Sequence, residues 1–189
     1  MKKYCSFIIL VLSCLSVSSL QAEISSPVFL QSEIKNLFQQ YFKKEPLGSY
    51  AYLEKTSAGI FVTLEENHRV LACLGDLRPH HKNLKEELIG VFDKILSHPR
   101  FSKALQPADY LHWHVWVRFP TNPVQVKSVY QINPKTDGSM LKSGAKAAVV
   151  LPGEARTQSY LLRLLKSKVG LSPQESFTLY RIYAPGFKL

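Results

Sequence analysis

The chain has 189 residues, 24 lysines and arginines against 14 acids, and a formal net charge of +10. With 46% of its residues hydrophobic and 20% charged, it is too apolar for an intrinsically disordered protein and long enough to build a core. It carries no glycine-rich phosphate loop, GxSxG elbow, HExxH pair, EF-hand or CxxC, which removes the enzyme and metal classes those motifs announce.

The first 22 residues have the order of a secretory signal peptide. Lys2 and Lys3 start it, Phe7 to Val17 form its apolar core, and Ser18-Ser19-Leu20-Gln21-Ala22 is a small-residue exit, so cleavage is expected after Ala22. The apolar stretch is too short and too interrupted by serine for a good membrane span. Val11-Leu12-Ser13-Cys14 offers a rival lipoprotein cut, disfavoured because the apolar run continues past Cys14. The expected organisation is a signal peptide over 1–22 and a single domain over 23–189, secreted or periplasmic. Cys5 and Cys14 leave with the leader, so Cys73 stands alone and no intrachain disulfide forms.

Charge is distributed unevenly. Residues 23–126 hold 12 basic and 11 acidic residues, whereas residues 127–189 hold 10 and 3. Export argues against nucleic acid as the partner of a basic side. An anionic surface of the envelope, an acidic protein or a small ligand fits the location better, and a solvated face is the bland reading.

Ser26-Pro27 has the form of a helix start, and Phe29, Leu30, Ile34, Leu37, Phe38, Tyr41 and Phe42 recur behind it at helical spacing. Pro46-Leu47-Gly48-Ser49 ends that helix. Gly59 to Leu64 and Arg69 to Gly75, parted by the polar tip Glu65-Glu66-Asn67-His68, read as a hairpin. Because Val70-Leu71-Ala72-Cys73-Leu74-Gly75 is apolar throughout, its strand is expected at the centre of a sheet, covered on both faces.

Asn83-Leu84-Lys85-Glu86 has the form of a capping box before a helix whose Leu84, Leu88, Val91, Phe92 and Ile95 share a face; His98-Pro99 ends it. Residues 111–119 alternate, with Leu111, Trp113, Val115, Val117 and Phe119 on one side and His112, His114, Trp116 and Arg118 on the other. After a loop with Pro134 and Asp137-Gly138, Ala145 to Leu151 reads as a short buried strand. Tyr160, Leu161, Leu164, Leu165 and Val169 then build a last helix ended by Gly170, and Phe177 to Tyr183 a closing strand. Helices and neighbouring strands mix along one chain, which places it in the α+β class.

Five stretches in this order resemble the AMMECR-one domain family. Gly59-Ile60-Phe61-Val62-Thr63-Leu64 is similar to its G-V-F-V-T-L. Val70-Leu71-Ala72-Cys73-Leu74-Gly75 falls where the family carries L-R-G-C-I-G, and His98-Pro99-Arg100-Phe101 resembles D-P-R-F. Asp137-Gly138 and Leu151-Pro152 match its H-G or D-G turn and L-L-P segment, and Lys168-Val169-Gly170-Leu171 its K-A-G-L helix end. The resemblance covers roughly residues 30–187. It implies an α+β fold in which an antiparallel sheet is packed by helices, with a smaller lobe from the middle segment, and it brings no settled biochemistry. This chain departs from the pattern at Leu71, where the family has the carboxylate- or phosphate-clamping Arg, and at Ala72, where Gly lets backbone approach a ligand.

Cys73 is the candidate nucleophile, with His80 or His81 as its base; the plainer reading is a small apolar residue in a strand. His112 and His114, two apart on one strand face, have a spacing that can chelate a metal, but no further ligand is evident and no metal or other cofactor is expected. Cys73, Gly75, Asp76, His112, His114, Trp116 and Arg118 together form the candidate ligand-binding set, with Trp116 the stacking surface. The reading favoured is an exported ligand- or protein-binding accessory module. Its alternative is an enzyme centred on Cys73 with a histidine partner, or a histidine-bound metal.

Overall fold

In a computed structural model of the chain, residues 27–67, 69–99, 101, 105, 107–172 and 174–189 are described. The leader over 1–22, the alternative cut at Cys14 and the Ser26 cap lie outside them, as do His68 and Arg100.

Helix α1 (Pro27–Lys43) buries Leu30, Ile34, Leu37, Phe38 and Phe42 as one stripe. Phe29 does not join it and stands 70% exposed. A one-turn helix α2 (Ala51–Lys55) follows, anchored by the Glu33 carboxylate, which accepts the Tyr52 and Leu53 N–H groups at 3.2 and 3.0 Å. Strands β1 (Phe61–Glu66) and β2 (Arg69–Gly75) form the expected antiparallel hairpin, with Asn67 at φ 50° in its turn. Helix α3 (Leu84–Ser97) starts where the capping signal lay, Asn83 Oδ1 accepting the Glu86 N–H at 2.9 Å. Its Leu84, Leu88, Val91, Phe92 and Ile95 are buried together, as their spacing predicts.

A 3-10 turn (Pro107–His112) leads into β3 (His114–Arg118). In the first sheet β1 lies between β2 and β3, with the chain's last strand beyond β3; the sheet is antiparallel throughout, and one face carries the core shared with α1 and α3. The expectation of β2 as a central strand is therefore corrected. β1 is the central strand, with Phe61 to Leu64 buried, while β2 lies at the edge and Val70 is 50% exposed. A bulge leaves Leu71 unpaired between the Leu64–Ala72 and Glu65–Val70 pairs, which turns the start of β2 outward. The run's apolarity reflects an edge strand with helices on one side and a second lobe on the other.

That smaller lobe spans residues 124–183. Strands β4 (Val124–Val126), β5 (Asp137–Ser143), β6 (Lys146–Val150) and β7 (Thr178–Tyr183) make a second antiparallel sheet in the order β4-β7-β5-β6. Asp137-Gly138, expected in a loop, begins β5, and β6 is an exposed edge rather than a buried strand. Helix α4 (Gln158–Val169) is capped by Thr157 and ended by Gly170 at φ 66°. Its Leu161 and Leu165 pack with Leu141, Val150 and Leu179 in a second core. A last strand, β8 (Gly186–Lys188), returns to pair with β3.

Candidate functional site

Period two along a strand divides the first sheet into two chemistries. Val62, Leu64, Ala72, Val115 and Val117 point into the helical core. The opposite face carries Thr63 in register with both Cys73 and Trp116, Glu65 opposite His114, and Phe61 opposite Arg118. The second lobe closes over this face with the Leu151–Glu154 turn and the end of α4. Between them lie three hollows of about 220, 350 and 470 Å³, each walled in part by Glu154.

Cys73 lines the two larger hollows. The Thr63 hydroxyl donates to its sulfur at 3.2 Å. Burial pushes the thiol up to about 11, only partly offset by the Thr63 hydrogen bond. Across from it, Lys168 Nζ donates to Glu154 Oε2 at 3.0 Å and to the Val149 carbonyl at 3.1 Å. Glu154 Oε1 in turn accepts the Leu151 N–H at 3.1 Å. Arg118 lies 5.0 Å over the Trp116 ring, and burial pulls its guanidinium below the ordinary range. The Trp116 indole N–H donates to Glu65 Oε2 at 3.3 Å.

The sequence-predicted residues separate on this geometry. Cys73, Gly75, Asp76, Trp116 and Arg118 line the interlobe hollows. His112 and His114 do not share a strand face. The 3-10 turn runs to His112, closed by the Trp113 N–H on the Tyr110 carbonyl, so Leu111 is 72% exposed and the alternation starts only at Trp113. The HxH spacing thus spans two kinds of backbone, a 3-10 turn and a strand. Among the described residues no three of His, Cys, Asp and Glu come together to hold a metal ion.

His80 and His81 are committed elsewhere. Both backbone N–H groups donate to the buried Glu87 carboxylate, at 2.7 and 2.9 Å. The His80 ring pairs with Asp76 at 3.0 Å, and the His81 ring sits against Gly90 of α3, where a Cβ would come within 2.6 Å of Nε2. Burial acts to raise the Asp76 carboxyl, but the His80 bond and the Arg78 and Leu77 amides outweigh it and leave it lowered.

Ala72 is 1% exposed and turns its methyl into the helical core, so the change from the family's glycine adds packing there and leaves the cleft backbone untouched. Leu71, at the bulge, borders the hollow beside Cys73 and also packs against the first core, so this position presents an apolar side chain where the resemblance has arginine. Thr63, Glu154 and Lys168 were missed as site residues. Each lies in or beside a motif quoted for the resemblance, which was the available signal.

Two lobes, each an antiparallel sheet with its own helical cover and core, and a polar cleft between them define an α+β domain of a recognisable class. The chain belongs to the AMMECR1 family, whose model matches residues 22–185. Its fold is similar to that in the crystal structure of an uncharacterised protein, PH0010, from Pyrococcus horikoshii, with a TM-score of 0.67 and 20% identity over 85% of this chain and 89% of that one. No functionally curated protein matches it.

Proposed function

We propose that this chain is an exported AMMECR1-domain protein that works as a binding or accessory module, holding a small polar ligand in the cleft between its lobes. The observation that carries this reading is the setting of Cys73, which lines the cleft yet is kept protonated by burial and takes its hydrogen bond from Thr63 rather than from a histidine. A thiol so placed makes a wall, not a nucleophile. Lys168, Glu154 and Arg118 offer charge-assisted contacts to a ligand with both signs of charge, and Trp116 offers a face for stacking. Support for export is the charged start, apolar core and small-residue exit of residues 1–22.

A thermal-shift screen of small zwitterionic and carboxylated compounds against wild type, W116A and K168A tests the reading. The expected result is a raised Tm for one compound class in wild type, removed in both variants, with protein from the envelope fraction beginning at Glu23. No stabilising class, or a class indifferent to both substitutions, would overturn the cleft. An N-terminus still at Met1 would overturn export.

A further inference from the structure

Three of the ten cations in residues 127–189, Lys127, Arg163 and Lys166, line a second concavity, away from the cleft. A groove of about 850 Å³ runs between α4 and the β4 side of the second sheet. Arg163 and Lys166 lie one helical turn apart on its α4 wall, Lys127 and Tyr130 form the facing wall, and Phe177 closes one end. Among the described residues no acidic one lines it. Among the described residues none of these three cations has a carboxylate partner. Aromatic faces hold two of them instead, with Lys166 Nζ 5.0 Å over Phe177 and Arg163 5.2 Å over Tyr160. Such stacking fixes a cation's position without neutralising it.

The second observation is backbone. Among the described residues β4 pairs with β7 on one side only and has no strand on the other, and Val124 is 57% exposed. An open strand edge beside a row of fixed positive charge fits one kind of occupant. Alternate side chains of an extended chain recur about every 6.7 Å on one face, close to the one-turn spacing of about 5 Å on a helix. The two spacings let one face of such a strand offer carboxylates to both Arg163 and Lys166 on the opposite wall of the groove.

We propose that this groove captures an extended acidic peptide segment, which adds to the edge of β4 and places its carboxylates on Lys127, Arg163 and Lys166. The main-chain bonds of strand addition supply affinity, and the unpaired cations select acidic side chains. This groove shares no lining residue with the cleft, although the Tyr160 ring under Arg163 borders the hollow beside Cys73.

Fluorescence anisotropy on the mature chain, with a labelled peptide of alternating glutamate and valine as probe, tests the proposal. Binding should saturate, and should weaken at least about tenfold in R163E/K166E through loss of charge-assisted contacts. The K43E/K44E control, with the same change in net charge on the other lobe, should bind as wild type does. If R163E/K166E does not fold, judged by its melting curve, K127E is read against the same probe with the same direction expected. Methylating alternate peptide nitrogens should also abolish most of the binding, since it removes strand pairing. The proposal is overturned by a lack of saturation or by undiminished binding to the groove variants. It is equally overturned if the methylated peptide or a labelled oligogalacturonate of equal charge binds as tightly, which would make the groove a general anion or polysaccharide surface.

Discussion

Cys73 is the residue on which the reading of this protein turns, and its protonation can be followed directly. Burial disfavours the thiolate, so the folded-state value stands near 11, above that of an ordinary thiol. At neutral pH almost no thiolate is present, and the thiolate fraction grows about tenfold per pH unit up to the pKa. The native protein should therefore react slowly with a disulfide reagent at pH 7, with a rate still climbing at pH 10 where an exposed cysteine has levelled off. A plateau near pH 9 would show an unperturbed thiol. The same shift has a stability consequence. A thiol whose pKa is raised by folding contributes its full share below the unfolded value near 9, and that share is lost as pH rises through 11. Compared with Cys73→Ala, wild type should lose on the order of 2 kcal/mol of relative stability across that window, read by urea unfolding at each pH. The sequence could identify Cys73 as strand-borne. It could not identify Thr63 as its partner, because that depends on the register of β1 against β2 across a bulged hairpin.

At the scale of elements, the three longer helices α1, α3 and α4 were readable because each buries one apolar stripe, and three to four residues per turn make that stripe visible, whereas the one-turn α2 is too short to show one. Asn83, Thr157 and Gly170 then mark their ends by side-chain and backbone chemistry that is local. The strands were less readable, since an apolar run says that a strand is covered and not by what. β2 looks central by composition and is an edge, while β4 and β8, three residues each, are too short to show a period. The polar partners on the second lobe's side of the cleft were hidden for the same reason: Lys168 and Glu154 are 14 residues apart, on a helix and a turn that meet only once the lobe has formed. One glycine at the end of β2 joins sequence to architecture. Gly75 sits at φ 156°, and a Cβ there would lie 2.0 Å from the Ile60 carbonyl oxygen. Neither the conformation nor the space admits a side chain. Gly75→Ala should cost about 3 kcal/mol or more by urea unfolding, because backbone must move. Gly170→Ala, left-handed but with nothing within 4 Å of its Cβ, should cost only about 1 kcal/mol. Equal costs would show that the close approach at Gly75 is relieved without strain.

For the whole molecule, the question is what keeps two separately cored lobes in one arrangement, since the cleft exists only while they stay together. The chain crosses from the first lobe into the second between β3 and β4, and it crosses back between β7 and β8. The return is short: Tyr183 ends β7, Gly186 begins β8, and the Phe119 N–H donates to the Pro185 carbonyl at 2.7 Å. β8 then pairs Trp116 with Lys188 and Val117 with Phe187, and the Leu189 N–H donates to the Val115 carbonyl at 2.8 Å. Gln31 of α1 donates to the Lys188 carbonyl at 2.8 Å, so the last five residues tie the second lobe to both the sheet and a helix of the first. Phe187 adds a ring contact with Phe119 at 6.0 Å. Deleting residues 185–189 removes these bonds together and turns β3, the strand bearing Trp116 and Arg118, into an open edge. The expected loss is about 3 kcal/mol, which for a chain of this size lowers Tm by roughly 5–10 °C. An unpaired edge also invites strand pairing between molecules, so the shortened protein should associate with rising concentration in sedimentation experiments. Lys188→Glu in the full chain should leave Tm near wild type, because the exposed side chain is dispensable and the backbone carries the pairing. A deletion that melts where wild type melts and stays monomeric would mean that the lobes are held by the packing of the Leu151–Glu154 turn and α4 against β2 instead.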